Sequence, residues 1–144
     1  MNEAEKLDAL KKINDYYGSS FSTDHILLRK EEKDGLKIFI YSGSLTPKIQ
    51  IEWMGLHLAT LGGEVLLSIE GAQMIGKTAR KTIEITRNDA DDLMKGLDLK
   101  YAGELLGFVI LKQAANIIGI GKAEEGKIIN TLPHSRRVVR FKKE

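Results

Sequence analysis

The chain has 144 residues, of which 42% are hydrophobic, and its net charge is +2. This length and this hydrophobic content are sufficient for the core of one domain or of two very small ones, and they exclude general disorder. It contains no cysteine and its three histidines are far apart in sequence, so disulfide bonds and thiolate ligands are excluded and no metal site is predicted. No apolar run reaches the length of a membrane span and the charged start, MNEAEKLDALKK, does not resemble a secretory signal, so a cytoplasmic protein without membrane contact is expected.

The N-terminal segment predicts an amphipathic helix over residues 3–17, where apolar side chains recur at helical spacing. Asn2 is a suitable N-cap with Glu5 three residues later, which is the pattern of a capping box. Gly18 is a natural stop, because glycine adopts the left-handed conformation that ends many helices.

A β-hairpin is predicted next, from β-like runs at 25–30 and 36–42. Asp34-Gly35 between the two runs is a typical hairpin turn signal. The segment 42–48 is rich in turn-forming residues and includes Pro47, so it predicts a linker.

The rest of the chain predicts many short strands and two short helices. Ser68 caps a helix that Gly76 ends, and Thr86 caps a second helix that Gly96 ends. Many short strands with two short helices indicate a compact β-barrel or pseudobarrel. The predicted strands are IEWMGLHLATL with EVLLS around Gly62-Gly63, KTIEIT at 81–86, the hairpin of 107–112 with 116–123, and the pair 126–130 with 136–141.

Residues 71–78 read GAQMIGKT, which satisfies the phosphate-binding pattern G-x-x-x-x-G-K-[ST]. A working P-loop opens a long helix, but the β-branched run TIEIT begins only four residues after Thr78. No apolar strand ends in an acidic residue that could hold Mg²⁺. The favoured interpretation places Gly71–Ile75 in a short helix that Gly76 stops, followed by a basic loop, GKTARK. No cofactor and no catalytic residue is predicted.

From Leu56 to Val139 the order of motifs resembles a PUA domain, the RNA-binding pseudobarrel of pseudouridine synthases and archaeosine transglycosylases. The matching stretches are SIEGAQMIG, KTIEI, the helix ending in MKGLDL, GELLGFVILKQAANIIGIGKA and EGKIINTLPHSRRVV. The ending N-x-L-P-H-S-R-R is similar to the tails of archaeal PUA-like domains related to cytosine-5 RNA methyltransferases. Those enzymes carry a Rossmann domain and catalytic cysteines, and this chain has no cysteine, so the resemblance implies the recognition module without an enzymatic activity.

The residues before this region, a helix followed by YYG and a hairpin ending in IFIYS, resemble the small domain that precedes the PUA domain in archaeal ribosome-biogenesis factors. Together the two resemblances imply an α+β fold. A small helix-plus-hairpin domain is expected over residues 1–48, and a PUA-like β-pseudobarrel with two short helices over residues 49–144.

Positive charge is concentrated at the end of the chain, where residues 122–144 hold seven basic and three acidic side chains. A basic end indicates a polyanionic partner, and the competing interpretation is a solvated tail. In the fold that the chain resembles, the final strand returns beside the first strand of the barrel, so the basic loop and the basic end would line one groove. The candidate RNA-binding residues are Lys77, Arg80, Lys81, Lys122, Arg136, Arg137 and Arg140.

Two further groups of residues allow a structural and a functional interpretation. Gly119 and Gly121 serve close approach of strands, or alternatively let a nucleic-acid backbone come near. Asp89, Asp91 and Asp92 lie at a predicted helix start, where carboxylates favour the helix dipole, so metal binding is the weaker interpretation.

The leading hypothesis for function is a non-catalytic protein that binds structured RNA, either rRNA or tRNA, in rRNA maturation or RNA modification. It could present that RNA to an RNA-modifying enzyme or act with a ribosome-assembly factor. The alternative is a protein-binding adaptor subunit of an RNA-modifying or ribosome-assembly complex, in which the basic tail is incidental.

Overall fold

The computed structural model describes residues 1–41 and 55–131 of the protein. These residues contain both helices and strands, which confirms the predicted α+β class. The chain forms two compact units, a first unit over Met1–Arg80 and a second unit over Lys81–Glu144.

The first unit contains an antiparallel sheet of four strands in the order β1-β2-β3-β4. Helix α1 precedes the sheet and contacts β3 and β4, and helix α2 follows β4 and contacts the same two strands. The elements are α1 Glu3–Tyr17, β1 Ile26–Glu32, β2 Gly35–Tyr41, β3 Leu56–Leu61, β4 Val65–Leu67 and α2 Ile69–Ile75.

Helix α1 begins and ends where its sequence signals predict. The Asn2 side chain accepts a hydrogen bond from the Glu5 amide and the Glu5 side chain accepts one from the Asn2 amide, which completes the capping box. Gly18 then takes the left-handed conformation, with φ of 61°, and its amide donates to the Asn14 carbonyl.

The predicted hairpin is confirmed as β1 and β2, but its turn lies one residue earlier than the Asp34-Gly35 signal suggests. Glu32 pairs with Gly35, so the two-residue turn consists of Lys33 and Asp34. Gly35 has φ of 140°, and a Cβ at this position would clash with the Leu61 carbonyl. The glycine therefore serves the close approach of β2 to β3 rather than the turn itself.

The core of the first unit lies between the two helices and one face of the sheet. Its fully buried side chains come from α1, from the three long strands and from α2. Tyr17 is the largest of them, and its hydroxyl donates to the Val65 carbonyl over 2.5 Å, so helix α1 is joined to β4 by a buried hydrogen bond. The others are Ile13, Leu27, Ile38, Leu58 and Ile75.

Tyr17→Phe is expected to lower the free energy of unfolding by about 1–2 kcal/mol, because it leaves a buried carbonyl without this donor. Burial also raises the pKa of the Tyr17 phenol. Above about pH 10 an unfolded tyrosine loses its proton while the buried one keeps it, so stability falls as pH rises through that range. Denaturant unfolding of both proteins from pH 7 to 11 measures the two effects. A decline with pH that is equally steep in the variant would contradict the role given to Tyr17.

The second unit contains a mixed sheet of five strands in the order β5-β7-β8-β9-β6. Strand β5 pairs with β7 in parallel, and the other pairs are antiparallel. Thr86 is the N-cap of helix α3, as the sequence predicts, and it forms a capping box with Asp89. The elements are β5 Thr82–Glu84, α3 Arg87–Met94, β6 Leu99–Lys100, β7 Gly107–Gln113, β8 Asn116–Glu124 and β9 Lys127–Asn130.

One face of this sheet packs into a core with α3. Val109, Leu111 and Ile128 are at most 1% exposed on this face, and Leu93 of α3 is equally buried. The Asn130 side-chain amide donates to the carbonyls of Leu93 and Leu97, which holds the end of α3 against the sheet. Helix α3 therefore lies against this face at its β6 and β9 end. The side chains that alternate with the core residues lie on the other face, where Ile110 and Ile120 are also buried.

The predicted domain boundary at 48/49 falls outside the described residues, and the division into 1–48 and 49–144 stays a prediction. The division of the chain into the two compact units falls between residues 80 and 81. Strands β2 and β3, which lie on either side of the predicted boundary, are paired in one sheet. The predicted strand 136–141 also falls outside the described residues. Within the part of the chain that the structure describes, no helix is long and apolar enough to cross a membrane.

Candidate nucleic-acid interface

The GAQMIGKT segment runs from the first turn of a short helix past its end, rather than from a loop into a helix. Residues Gly71–Ile75 lie in α2, which begins after the Ser68 cap, and Gly76 caps its C-terminus, as the favoured interpretation predicts. The Gly71 amide donates to the Ser68 hydroxyl, which is the N-cap contact of this helix. Lys77 and Thr78 follow the helix, so this arrangement reverses the P-loop order of loop and helix.

The loop after α2 is fixed to the C-terminal end of α1. The Arg80 amide donates to the Tyr17 carbonyl over 2.9 Å, and the Thr78 hydroxyl accepts from the Ser20 amide over 2.9 Å. Lys77 and Arg80 are both exposed, so this loop of the first unit presents two cations on an anchored backbone.

The remaining predicted site residues belong to the second unit or fall outside the described residues. Lys81 precedes β5 and is half-buried, and its carbonyl accepts from the Ile110 amide. Lys122 lies on β8, with its amine 5.4 Å from the centre of the Phe108 ring. Arg136, Arg137 and Arg140 fall outside the described residues, and the groove predicted between the basic loop and the basic end stays a prediction.

The sheet face opposite α3 carries a cluster of basic side chains that the sequence alone did not reveal. Directly paired residues point to the same face of a sheet, so the strand register defines two rows. One row is Phe108 on β7, Lys122 on β8 and Ile129 on β9, and the next is Glu124 on β8, Lys127 on β9 and Lys100 on β6. We call this surface the lysine face: Lys100, Phe108, Lys122, Glu124, Lys127 and Ile129.

The exposure of the lysine face suits an anionic ligand. Lys100 and Lys127 are exposed, and the other four residues are half-buried. Lysine amines bind phosphate as point charges, and an aromatic ring beside them can contact a base. Lys122 was predicted as a candidate, whereas Lys100 and Lys127 were missed, because the pairing of β6 with β9 gave no signal in the sequence.

Other polar groups of the described chain have structural roles. Asp89 is part of the capping box of α3, which agrees with the interpretation of the acidic run as a helix start. His57 is half-buried, with its ring centre 5.3 Å from that of Phe39 and its Nε2 3.2 Å from the Thr60 hydroxyl. Burial, assisted by Lys37, lowers the pKa of His57, so the ring is neutral near pH 7 and cannot serve as a phosphate-binding cation.

Comparison with known proteins gives one family match. Residues 80–138 match the family model described as the PUA domain of methyltransferase RsmF. Residues 80–138 therefore correspond to a PUA domain. The predicted resemblance to the PUA-like domain of cytosine-5 RNA methyltransferases is therefore confirmed. No curated protein matches the chain.

The match places part of the candidate site in an RNA-binding type of domain. Lys100, Lys122 and Lys127 of the lysine face, as well as Arg80 and Lys81, fall within the matched residues. The resemblance of the N-terminal segment to the small domain of ribosome-biogenesis factors concerns residues before the match and stays a prediction.

Proposed function

We propose that the protein is a non-catalytic RNA-binding protein that binds structured RNA, either rRNA or tRNA, in rRNA maturation or RNA modification. The observation that carries the proposal is the PUA match over residues 80–138, in a unit whose sheet exposes a lysine face. The lack of any cysteine supports a recognition role, because the related methyltransferases use catalytic cysteines.

Binding would depend mainly on contacts with phosphates. Lysine and arginine side chains neutralise phosphate charge and release counterions, whereas base contacts supply sequence preference. Phe108 on the lysine face is the aromatic residue that could add contact with an unpaired base. The protein would thus hold an RNA by its backbone shape and present it to an enzyme or assembly factor carried by another chain.

A filter-binding assay with structured rRNA and tRNA fragments tests this proposal. Between about 50 and 200 mM salt, three or four phosphate contacts would lower the affinity roughly 10- to 100-fold. Lys122→Gln should weaken binding up to about fivefold, equivalent to about 1 kcal/mol, and reduce the salt slope by about one contact. Circular dichroism of the variant controls for folding. Wild-type affinity that is millimolar or independent of salt would contradict the proposal.

The adaptor alternative has one observation in its favour. Leu97 and Leu106 of the second unit are 51% and 69% exposed, and large exposed apolar side chains are common at protein interfaces. Leu106→Ser removes one of these exposed apolar side chains and leaves every lysine in place. If the protein is an adaptor, this variant should no longer bind its protein partner, while its RNA binding should be unchanged. Partner capture after nuclease treatment of the sample separates the two functions.

A further inference from the structure

Two lysines on the lysine face lie directly opposite each other. Lys100 is one of the two residues of β6, and its partner in the antiparallel pairing with β9 is Lys127. Directly opposed residues have Cβ atoms about 4.5–5.5 Å apart, and like charges at such positions destabilise the sheet. The pair therefore has a cost for folding, and a ligand that needs two adjacent cations would explain it.

The register that creates this pair is fixed by its surroundings. The Tyr101 amide donates to the Gly126 carbonyl over 2.9 Å, immediately beside the pair. Leu99 and Ile128, the neighbouring partners in the same pairing, are buried in the core on the other face. A shift of one residue would move these core side chains to the opposite face, so the two lysine backbones cannot easily separate.

A second lysine pair in the protein shows what a structural solution looks like. Lys30 of β1 lies directly opposite Lys37 of β2, and Glu32 lies 3.7 Å from the first amine and 2.9 Å from the second. That carboxylate neutralises part of the charge, and its hydrogen bond raises the pKa of Lys37. Within residues 1–41 and 55–131, no carboxylate forms an ion pair with Lys100 or Lys127.

The local charge of the lysine face is positive even when its acidic member is counted. Lys127 has two cross-strand neighbours, Glu124 on β8 and Lys100 on β6. The negative charge of Glu124 therefore offsets the positive charge of one of the three lysines. Lys122 lies in the next row of the same face, two residues along β8 from Glu124. The three lysines thus form a compact group of cations across three neighbouring strands.

We propose that Lys100 and Lys127 hold one phosphate group of the bound RNA between them, and that Lys122 contacts a neighbouring phosphate. The inference rests on the proposed RNA-binding function and locates that binding on the lysine face. The phosphate belongs either to a bridging phosphodiester or to a terminal 5′-phosphate, which present the same chemistry to a lysine pair.

The test is Lys100→Glu in the full chain, measured for both stability and RNA affinity. The substitution converts a like-charge pair into an opposite-charge pair, so the melting temperature should stay the same or rise by about 1–4 °C. RNA affinity should fall about tenfold or more, and the salt slope should drop by roughly two contacts. A rise in stability together with a loss of binding distinguishes a ligand site from a damaged fold.

Two further variants make the test specific. Lys30→Glu is the matched control, because it makes the same charge change in the other lysine pair, whose positive charge Glu32 partly neutralises. This variant should lower RNA affinity less than about threefold. Lys100→Glu combined with Lys127→Glu restores a like-charge pair and also places Glu124 opposite a carboxylate. Its melting temperature should therefore fall to the wild-type value or below it, while RNA binding stays weak.

The outcomes separate this inference from the broader function. No RNA binding by the wild-type protein would overturn the proposed function and this site together. Wild-type binding that Lys100→Glu leaves within about twofold, or reduces no more than Lys30→Glu does, would overturn the site alone. Two forms of the same RNA, one with a 5′-phosphate and one with a 5′-hydroxyl, distinguish the source of the phosphate. If Lys100→Glu lowers the affinity equally for both RNAs, the lysine pair holds a bridging phosphodiester. If it lowers the affinity only for the RNA with the 5′-phosphate, the pair holds the terminal phosphate.

Discussion

Gly71→Ala is expected to destabilise the first unit by about 1–3 kcal/mol or more, although alanine is the better helix former by about 1 kcal/mol. A Cβ at Gly71 would come closer than 3.0 Å to the Leu58 carbonyl, which belongs to the backbone of β3 and cannot rotate away. Helix α2 would have to move off the strand that it contacts. The loss of packing should therefore exceed the gain in helix propensity.

Denaturant unfolding measures this effect, and two control variants give it meaning. Gly63→Ala places its Cβ in open space in the turn between β3 and β4, so it should change stability far less. Lys77→Ala removes the lysine of the GAQMIGKT pattern, which is exposed, and should change stability by about 0.5 kcal/mol or less. Stability that is unchanged in Gly71→Ala would show that close packing does not require the glycine.

The first glycine of GAQMIGKT therefore has a packing role that the pattern did not predict. In a P-loop the corresponding glycine belongs to the loop whose amides cradle the phosphates. Here the same residue lies in the first turn of a short helix and lets that helix approach a strand. The short distance between Thr78 and the next strand argues against a P-loop from the sequence. The packing role depends on a carbonyl 13 residues earlier in the chain, so no local pattern indicates it.

Local signals predicted local structure well. Asn2, Ser68 and Thr86 all cap helices as expected, because capping requires only a side-chain oxygen and an amide three residues later. The predicted hairpin of 107–112 with 116–123 is likewise confirmed as β7 and β8. Ala114 takes the left-handed conformation in its turn, with φ of 56°.

Features that depend on distant pairing were not predictable in the same way. Strand β6 has two residues, and it exists because Leu99 and Lys100 pair with β9. Two residues are too few to show the alternation that indicates a strand. The lysine face as a whole was therefore not predicted, although Lys122 was among the candidate residues from the basic end of the chain.

Gly121→Ala is expected to destabilise the second unit by about 1–3 kcal/mol, because a Cβ there would overlap side chains of the PUA core. The added carbon would lie closer than 3.0 Å to the Ile128 Cγ2 and 3.1 Å from the Leu111 Cδ1. Both of those side chains are 1% exposed, so neither can move into solvent. Thermal unfolding, followed by circular dichroism, measures the loss.

RNA binding by the same variant decides between the two interpretations of this glycine. Gly121 points into the core face, and the lysine face lies on the opposite side of β8, so a nucleic-acid backbone on the lysine face does not need Gly121 to lack a side chain. At a temperature where the variant is fully folded, its RNA affinity should stay within about threefold of the wild-type value, whereas Lys100→Glu should lose affinity without losing stability. A Gly121→Ala protein that keeps its melting temperature but no longer binds RNA would instead place the nucleic acid against this glycine, on the face that packs with α3.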